Sequence, residues 1–206
     1  VDPETLYAGF SDVYKTTNRG NSWDAISSNL TGGVNLQSLA IASSDPDVIY
    51  AATYDNIYKT TNGGSSWSNI SGGLPSSSIR YITNNPTDAN MLWVTLSGFS
   101  SGEKVYVSDD GGNSWTNYST GLPNVPANCM VYEMGTNHAV YVGTDLGVYY
   151  RNAGMLEWVS YNQGLPNVIV NELEIQYSVN KLRAATYGRG VWESDLYELV
   201  APPVAD

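Results

Sequence analysis

The 206-residue chain has one cysteine, one histidine and only nine Lys or Arg residues against twenty Asp or Glu. With Cys129 alone, no internal disulfide forms and no cysteine-based zinc site exists. With His138 alone, a Ser-His-Asp or Cys-His catalytic set would have to be built on one imidazole, and no companion motif surrounds it. The formal net charge of −11 repels phosphate backbones, so nucleic-acid binding through a basic patch is excluded and anionic membranes are disfavoured. No apolar run approaches the roughly 20 residues of a membrane span, so no membrane insertion is expected. Charged residues are also scarce, at 14% against roughly 25% in an average globular domain.

Tyrosine, tryptophan and glycine fill the space that charge leaves, with 16, 6 and 20 copies between Ser, Thr and Asn tracts. Aromatics and Thr suit strands, and Gly, Asn and Ser suit turns, so a helical bundle is excluded and an all-β fold expected. Internal repeats then define the architecture. Val13 to Trp23 (VYKTTNRGNSW), Ile57 to Trp67 (IYKTTNGGSSW) and Val105 to Trp115 (VYVSDDGGNSW) superimpose. Val148 to Trp158 (VYYRNAGMLEW) keeps the frame without the polar residues, and Val191-Trp192 keeps only its start. Tyr14, Tyr58, Tyr106, Tyr149 and Trp192 stand 44, 48, 43 and 43 positions apart. A period of about 40 to 50 with four short strands per repeat is the signature of a propeller blade.

The repeated element resembles the Asp-box, Ser/Thr-x-Asp/Asn-x-Gly-x-x-Trp, of the BNR repeat family, whose members include sialidases, sortilin-type receptor domains and xyloglucanase-type glycoside hydrolases. The matching residues are Thr16, Asn18, Gly20 and Trp23; Thr60, Asn62, Gly64 and Trp67; and Ser108, Asp110, Gly112 and Trp115. The fourth copy has Arg151, Ala153 and Met155 instead and retains only Trp158. The closing stretch from Ala184 to Ser194 looks like the last blade of secreted bacterial members. The resemblance implies a β-propeller of four-stranded antiparallel blades, secreted, with the Asp-box on the side away from the functional face. Its residues are therefore expected to be structural: Asn or Asp bonds backbone amides two residues on, Gly takes positive φ, and Trp packs between blades with its indole N–H satisfied.

Each repeat divides into an inner strand, a second strand, a third strand carrying the Tyr and a short outer strand. The inner strands are expected at Leu36 to Ala42, Ile79 to Thr83, Cys129 to Met134 and Val170 to Tyr177. Repeats fall at about 1–34, 35–76, 77–125, 126–167 and 168–200, within one propeller domain over 1–200. The first lacks an inner strand and the last an outer one, leading to the expectation that about five blades or blade parts form a C-terminal portion of a larger ring. Residues 201–206 read as a linker to a following domain.

Function is expected on the loops joining second to third strands. The loop between Trp93 and Tyr106 is longest, at 13 positions against 8 from Tyr50 to Tyr58. Rings stack on sugar C–H faces while amides and carboxylates read hydroxyls, so Tyr54, Asp55, Phe99, Tyr187 and Arg189 are candidate ligand-binding residues. Hydrolysis would need paired carboxylates, for which Glu133, Asp145, Glu172 and Glu174 are available. A sialidase would need three converging Arg residues, and no such set stands out. Asp109-Asp110 and Asp45/Asp47 offer oxygens for calcium, but acidic pairs in turns are ordinarily solvated; no metal and no cofactor is expected. The leading reading is a non-catalytic extracellular segment that binds or presents a polysaccharide, other glycan or protein, with the missing remainder of the ring as a further partner. The alternatives are part of a glycoside hydrolase of xyloglucanase or sialidase type, and a structural adhesion or protein-interaction ring.

Overall fold

A computed structural model describes residues 2–197; the linker expected at 201–206 lies outside them. The chain forms five antiparallel sheets in succession, each a simple meander. The first holds β1 (Leu6–Gly9), β2 (Val13–Thr16) and β3 (Asp24–Ala25). The second holds β4 (Ser38–Ile41), β5 (Ile49–Ala52), β6 (Ile57–Thr60) and β7 (Ser68–Asn69). The third holds β8 (Ile79–Asn85), β9 (Asp88–Leu96), β10 (Val105–Ser108) and β11 (Thr116–Asn117). The fourth holds β12 (Ala127–Glu133), β13 (Ala139–Thr144), β14 (Gly147–Arg151) and β15 (Val159–Ser160). The fifth holds β16 (Val170–Gln176), β17 (Lys181–Thr186) and β18 (Gly190–Asp195). Three, four, four, four and three strands is the count the repeats predict. β4 is shorter at both ends than its expected span.

Sequence pattern follows from packing on both faces. β5 (IYAA) and β13 (AVYVGT) are buried at every residue, because a sheet sandwiched between two others has no solvent face. The outer strands β3, β7 and β11 are two residues long and exposed. The core accordingly forms in three layers. Tyr50, Ile57 and Ile82 lie in the layer between sheets two and three, Trp93, Met130 and Trp158 between three and four, and Tyr141, Leu173 and Tyr161 between four and five. Buried hydroxyls cross these layers: the Tyr50 OH donates to the Ala89 carbonyl at 2.7 Å, and the Tyr197 N–H donates to the Tyr141 OH at 2.7 Å.

Two repeated devices set the geometry of the ends. β8, β12 and β16 each contain a bulge at the same place, between Ile79 and Tyr81, Ala127 and Cys129, and Val170 and Glu172. A bulge re-aims the extra residue, here Arg80, Asn128 and Asn171, all at one end of the inner strands. Beyond each outer strand a side chain accepts an N–H at the start of the strand paired with it: Ser27 for Val13, Ser71 for Ile57, Ser119 for Val105 and Asn162 for Val148, at 2.7–3.0 Å. Strand alternation then sorts the loops. The hairpins after β1, β5, β9, β13 and β17 share the bulge end, and the Asp-box turns share the other. Among the described residues no hydrogen bond or ion pair joins the fifth sheet to the first.

Candidate functional site

At the Asp-box end, each hydroxyl organises the turn. Thr16 Oγ1 donates to Asn18 Oδ1 at 2.7 Å and accepts from the Gly20 N–H at 3.1 Å, while the Ser22 N–H donates to Asn18 Oδ1 at 3.0 Å. Thr60, Asn62, Gly64 and Ser66 repeat this, as do Ser108, Asp110, Gly112 and Ser114. This corrects one expectation: the Asn or Asp side chain reaches the amide four residues on, and the Thr or Ser hydroxyl takes the amide two residues on. Hydrogen bonds from the Ser114 side chain, the Ser114 amide and Ser108 hold the Asp110 carboxyl down at about 2. The Trp67 indole N–H donates to the Ile26 carbonyl, that of Trp115 to Ile70, and that of Trp158 to Tyr118, each just past the outer strand of the preceding sheet. Trp23 departs from the expectation. No sheet precedes it among the described residues, and it is 41% exposed.

The hairpin end has a different character. Phe99 and Tyr187 are 73% and 71% exposed, and Tyr54 is exposed too. Phe10 and Leu146 are also exposed, so every one of the five hairpins carries one large apolar side chain at or beside its tip. Exposed apolar side chains at the opposite end (Trp23, Met134, Leu156, Tyr177, Val179) do not recur in every sheet. Asp55 and Arg189 lie in the same set of hairpins and are exposed. The long third hairpin is tied down. Lys104, itself buried, donates from Nζ to the Gly98 carbonyl at 2.9 Å, and Asn117 Nδ2 donates to the Gly102 carbonyl at 2.7 Å. Phe99 is thus presented on a braced loop.

The four candidate carboxylates do not gather. Glu133 ends β12 at the Asp-box end, whereas Asp145 lies in the opposite hairpin of the same sheet. Six residues of strand separate those levels, roughly 20 Å at about 3.3 Å per residue. Asp145 accepts from Asn128 Nδ2 at 2.9 Å. Glu133 is buried and accepts from the Tyr141 OH at 3.0 Å. Glu172 accepts from the Tyr81 OH at 3.1 Å, linking the inner strands of sheets three and five across small Cys129. Burial first raises the Glu172 carboxyl above its ordinary value, hydrogen bonds from Tyr81 and the Leu173 amide pull against it, and the charge of Glu174, two residues away, adds to the rise. The basic side chains do not converge either: Arg183 pairs with Glu193 at 2.9 Å, and Arg151 is packed between sheets three and four.

Burial first of all raises the Glu133 carboxyl above its ordinary 4.5, against the Tyr141 bond, which lowers it. Through the window between 4.5 and that raised value, the folded chain keeps a proton that the unfolded chain has released. Stability therefore falls as pH rises through that window. Glu133→Gln is expected to flatten this part of the pH–stability profile, read by urea unfolding at several pH values; superimposable slopes would contradict it.

A model of the Sortilin-Vps10 family, described as "Sortilin, neurotensin receptor 3", matches residues 11–163. The chain belongs to that family. The match spans the three complete Asp-boxes and the altered fourth. No curated protein matches this Sortilin-Vps10 chain at the level of sequence. Among solved structures it is similar to the GH74 xyloglucanase of Xanthomonas campestris, with TM-score 0.69, 15% identity, and coverage of 94% of this chain and 36% of that one. YCF48 bound to D1 peptide gives TM-score 0.68 and 15% identity over 94% of this chain and 62% of that one. The Cps50 (Swd1) propeller of Myceliophteria thermophila gives TM-score 0.73 and 13% identity over 98% and 65%. At such identities the likeness establishes the β-propeller fold alone. The chain spans less than two thirds of each of these structures, and only 26% of an ancestral GH74 enzyme.

Proposed function

We propose that this chain is a non-catalytic, extracellular ligand-binding segment of a β-propeller whose hairpin end engages an extended carbohydrate. The observation that carries the reading is the series of apolar tips, Phe10, Tyr54, Phe99, Leu146 and Tyr187, one per sheet. Interspersed Asp55, Arg189, Arg80 and Asn171 supply charged and amide groups at the same end. Flat rings between hydrogen-bonding side chains suit a polymer with apolar C–H faces and hydroxyl edges, because rings supply contact area at low entropic cost. The GH74 xyloglucanase neighbour supports a carbohydrate, and the separation of Glu133 from Asp145 argues against a hydrolytic pair built from them. YCF48, bound to a D1 peptide, supports an extended peptide as the second reading.

Retention on immobilised plant polysaccharides tests this. Phe99→Ala and Tyr187→Ala are each expected to weaken retention about five- to tenfold, and with Tyr54→Ala in a triple variant to abolish it, with unfolding midpoints unchanged because these side chains are exposed. Wild-type retention by the triple variant would remove the hairpin end as the site. Retention on peptide arrays instead of polysaccharide, with the same sensitivity, would favour the second reading.

A further inference from the structure

The fourth Asp-box has lost more than its polar residues. In the second and third copies Gly64 and Gly112 sit so close to Ile26 and Ile70 of the preceding sheet that no Cβ fits between them. In the fourth, Met155 replaces the glycine, and Tyr118 stands where Ile26 and Ile70 stand. The seam between sheets three and four opens at this point into a cavity of about 310 Å³. Met91, Val107 and Met155 contribute apolar wall, and Trp93, Tyr118 and Arg151 contribute rings and charge.

Two polar groups in that wall lack what burial demands. The Trp93 indole N–H has no hydrogen-bond partner although the side chain is 1% exposed. Its positional counterparts in the neighbouring sheets, Tyr50 and Tyr141, both make hydrogen bonds to the next sheet. Arg151 is 9% exposed, lies 3.6 Å above the Tyr118 ring, and donates to the Tyr118 and Met155 carbonyls at 3.1 and 3.3 Å. The charge of Glu157 acts on it, but no carboxylate lies within ion-pair distance among the described residues. A guanidinium carries five N–H donors, so the two carbonyls leave others for a ligand. A buried cation with no carboxylate in direct contact and a buried donor without an acceptor are both costly, and one carboxylate accepting from both relieves them. Asp109 also borders the cavity but is exposed, so its charge stays hydrated at the mouth. His138 Nδ1 is engaged at 3.3 Å by both Asn85 Nδ2 and the Tyr132 OH.

We infer that the altered fourth repeat is a binding site for a small apolar carboxylate, its carboxyl group on Arg151 and Trp93 Nε1 and its ring or branched chain against Met91, Val107 and Met155. The volume stands at the lower end of ligand sites, about 300–1,000 Å³, and fits one side-chain-sized group. The chemistry serves either a free acid or the carboxyl-terminal residue of a peptide. This site lies at the opposite end from the hairpin tips and stands independently of the proposed carbohydrate reading.

The test is a titration of the 15N-labelled chain with 3-phenylpropionate, its amide, acetate and N-acetyl-Leu-Phe, following the Trp93 indole cross-peak, which Trp93→Phe identifies by its disappearance. 3-Phenylpropionate is expected to shift that peak saturably, its amide to bind about tenfold more weakly or less, and acetate to leave it unmoved. Equal binding of N-acetyl-Leu-Phe would assign the source to a chain terminus, and binding of the free acid alone to a small molecule; both support the site. Arg151→Gln is expected to erase the preference for acid over amide. No shift up to about 10 mM acid, or equal affinity for acid and amide in the wild-type chain, overturns the proposal whether or not Arg151→Gln folds.

Discussion

Trp158→Ala is expected to lower the unfolding free energy by about 4 kcal/mol, and Trp23→Ala, at the same repeat position, by less than about 1 kcal/mol. The two residues share a motif position but not a surrounding. Trp158 is 3% exposed, donates to the Tyr118 carbonyl and meets the Tyr118 ring edge-on at 5.9 Å. Its removal opens a cavity between sheets three and four and leaves the Tyr118 carbonyl only its bond from Arg151. Trp23 is 41% exposed with no sheet before it among the described residues, so little is lost when it is cut back. Equilibrium unfolding in urea of both variants reads the difference. Equal costs would mean that the Trp stabilises its own turn rather than the seam between sheets.

Gly64→Ala is expected to cost about 3 kcal/mol, and Gly20→Ala about 1 kcal/mol. Both glycines have positive φ, +100° and +89°, so both variants bear the left-handed penalty of an L side chain. Only at Gly64 does the new methyl group collide, with the Ile26 carbonyl, which is backbone and cannot swing aside, and with the Cβ fixed to it. At Gly20 the methyl meets the Trp23 ring at an ordinary 3.6 Å. Differential scanning calorimetry of the pair separates the penalty of φ, common to both, from the penalty of contact, present in one. A Gly64→Ala transition within a degree of that of Gly20→Ala would place the sheets farther apart than described.

Fold was legible because the propeller writes itself at one period. Five aromatic positions and three Asp-boxes locate third strands and turns, and the strands between follow from short apolar runs such as Ile49–Ala52. Less visible were features carried by small residues. Ser27, Ser71, Ser119 and Asn162 cap equivalent strands at one period, yet Ser is too common here for one of them to stand out. Phe10 and Leu146 belong with Tyr54, Phe99 and Tyr187, and aligning the five hairpins by repeat would have found them. A bulge leaves no composition signal, so the re-aiming of Arg80, Asn128 and Asn171 needed coordinates. The cavity at Arg151 is a property of the distance between two sheets. Sequence shows only that the fourth motif is altered, not that the seam behind it opens.

The carboxylates show the same boundary. Glu172 and Glu174 alternate along β16 as their spacing implies, but that Glu172 is taken up by Tyr81, two sheets away, depends on curvature. Glu133 pairs with Tyr141 of its own sheet, on a neighbouring strand that the sequence does place.

On the proposed reading, the hairpin end binds carbohydrate without cutting it. The most direct measurement incubates the chain with soluble xyloglucan and related polysaccharides and follows two quantities together, polymer depleted with the protein and oligosaccharide released into solution. The expected result is depletion that disappears in the Tyr54→Ala, Phe99→Ala, Tyr187→Ala triple variant, with no released product. Released oligosaccharide that is lost on Glu172→Gln or Glu174→Gln would contradict the account and make the chain part of a hydrolase.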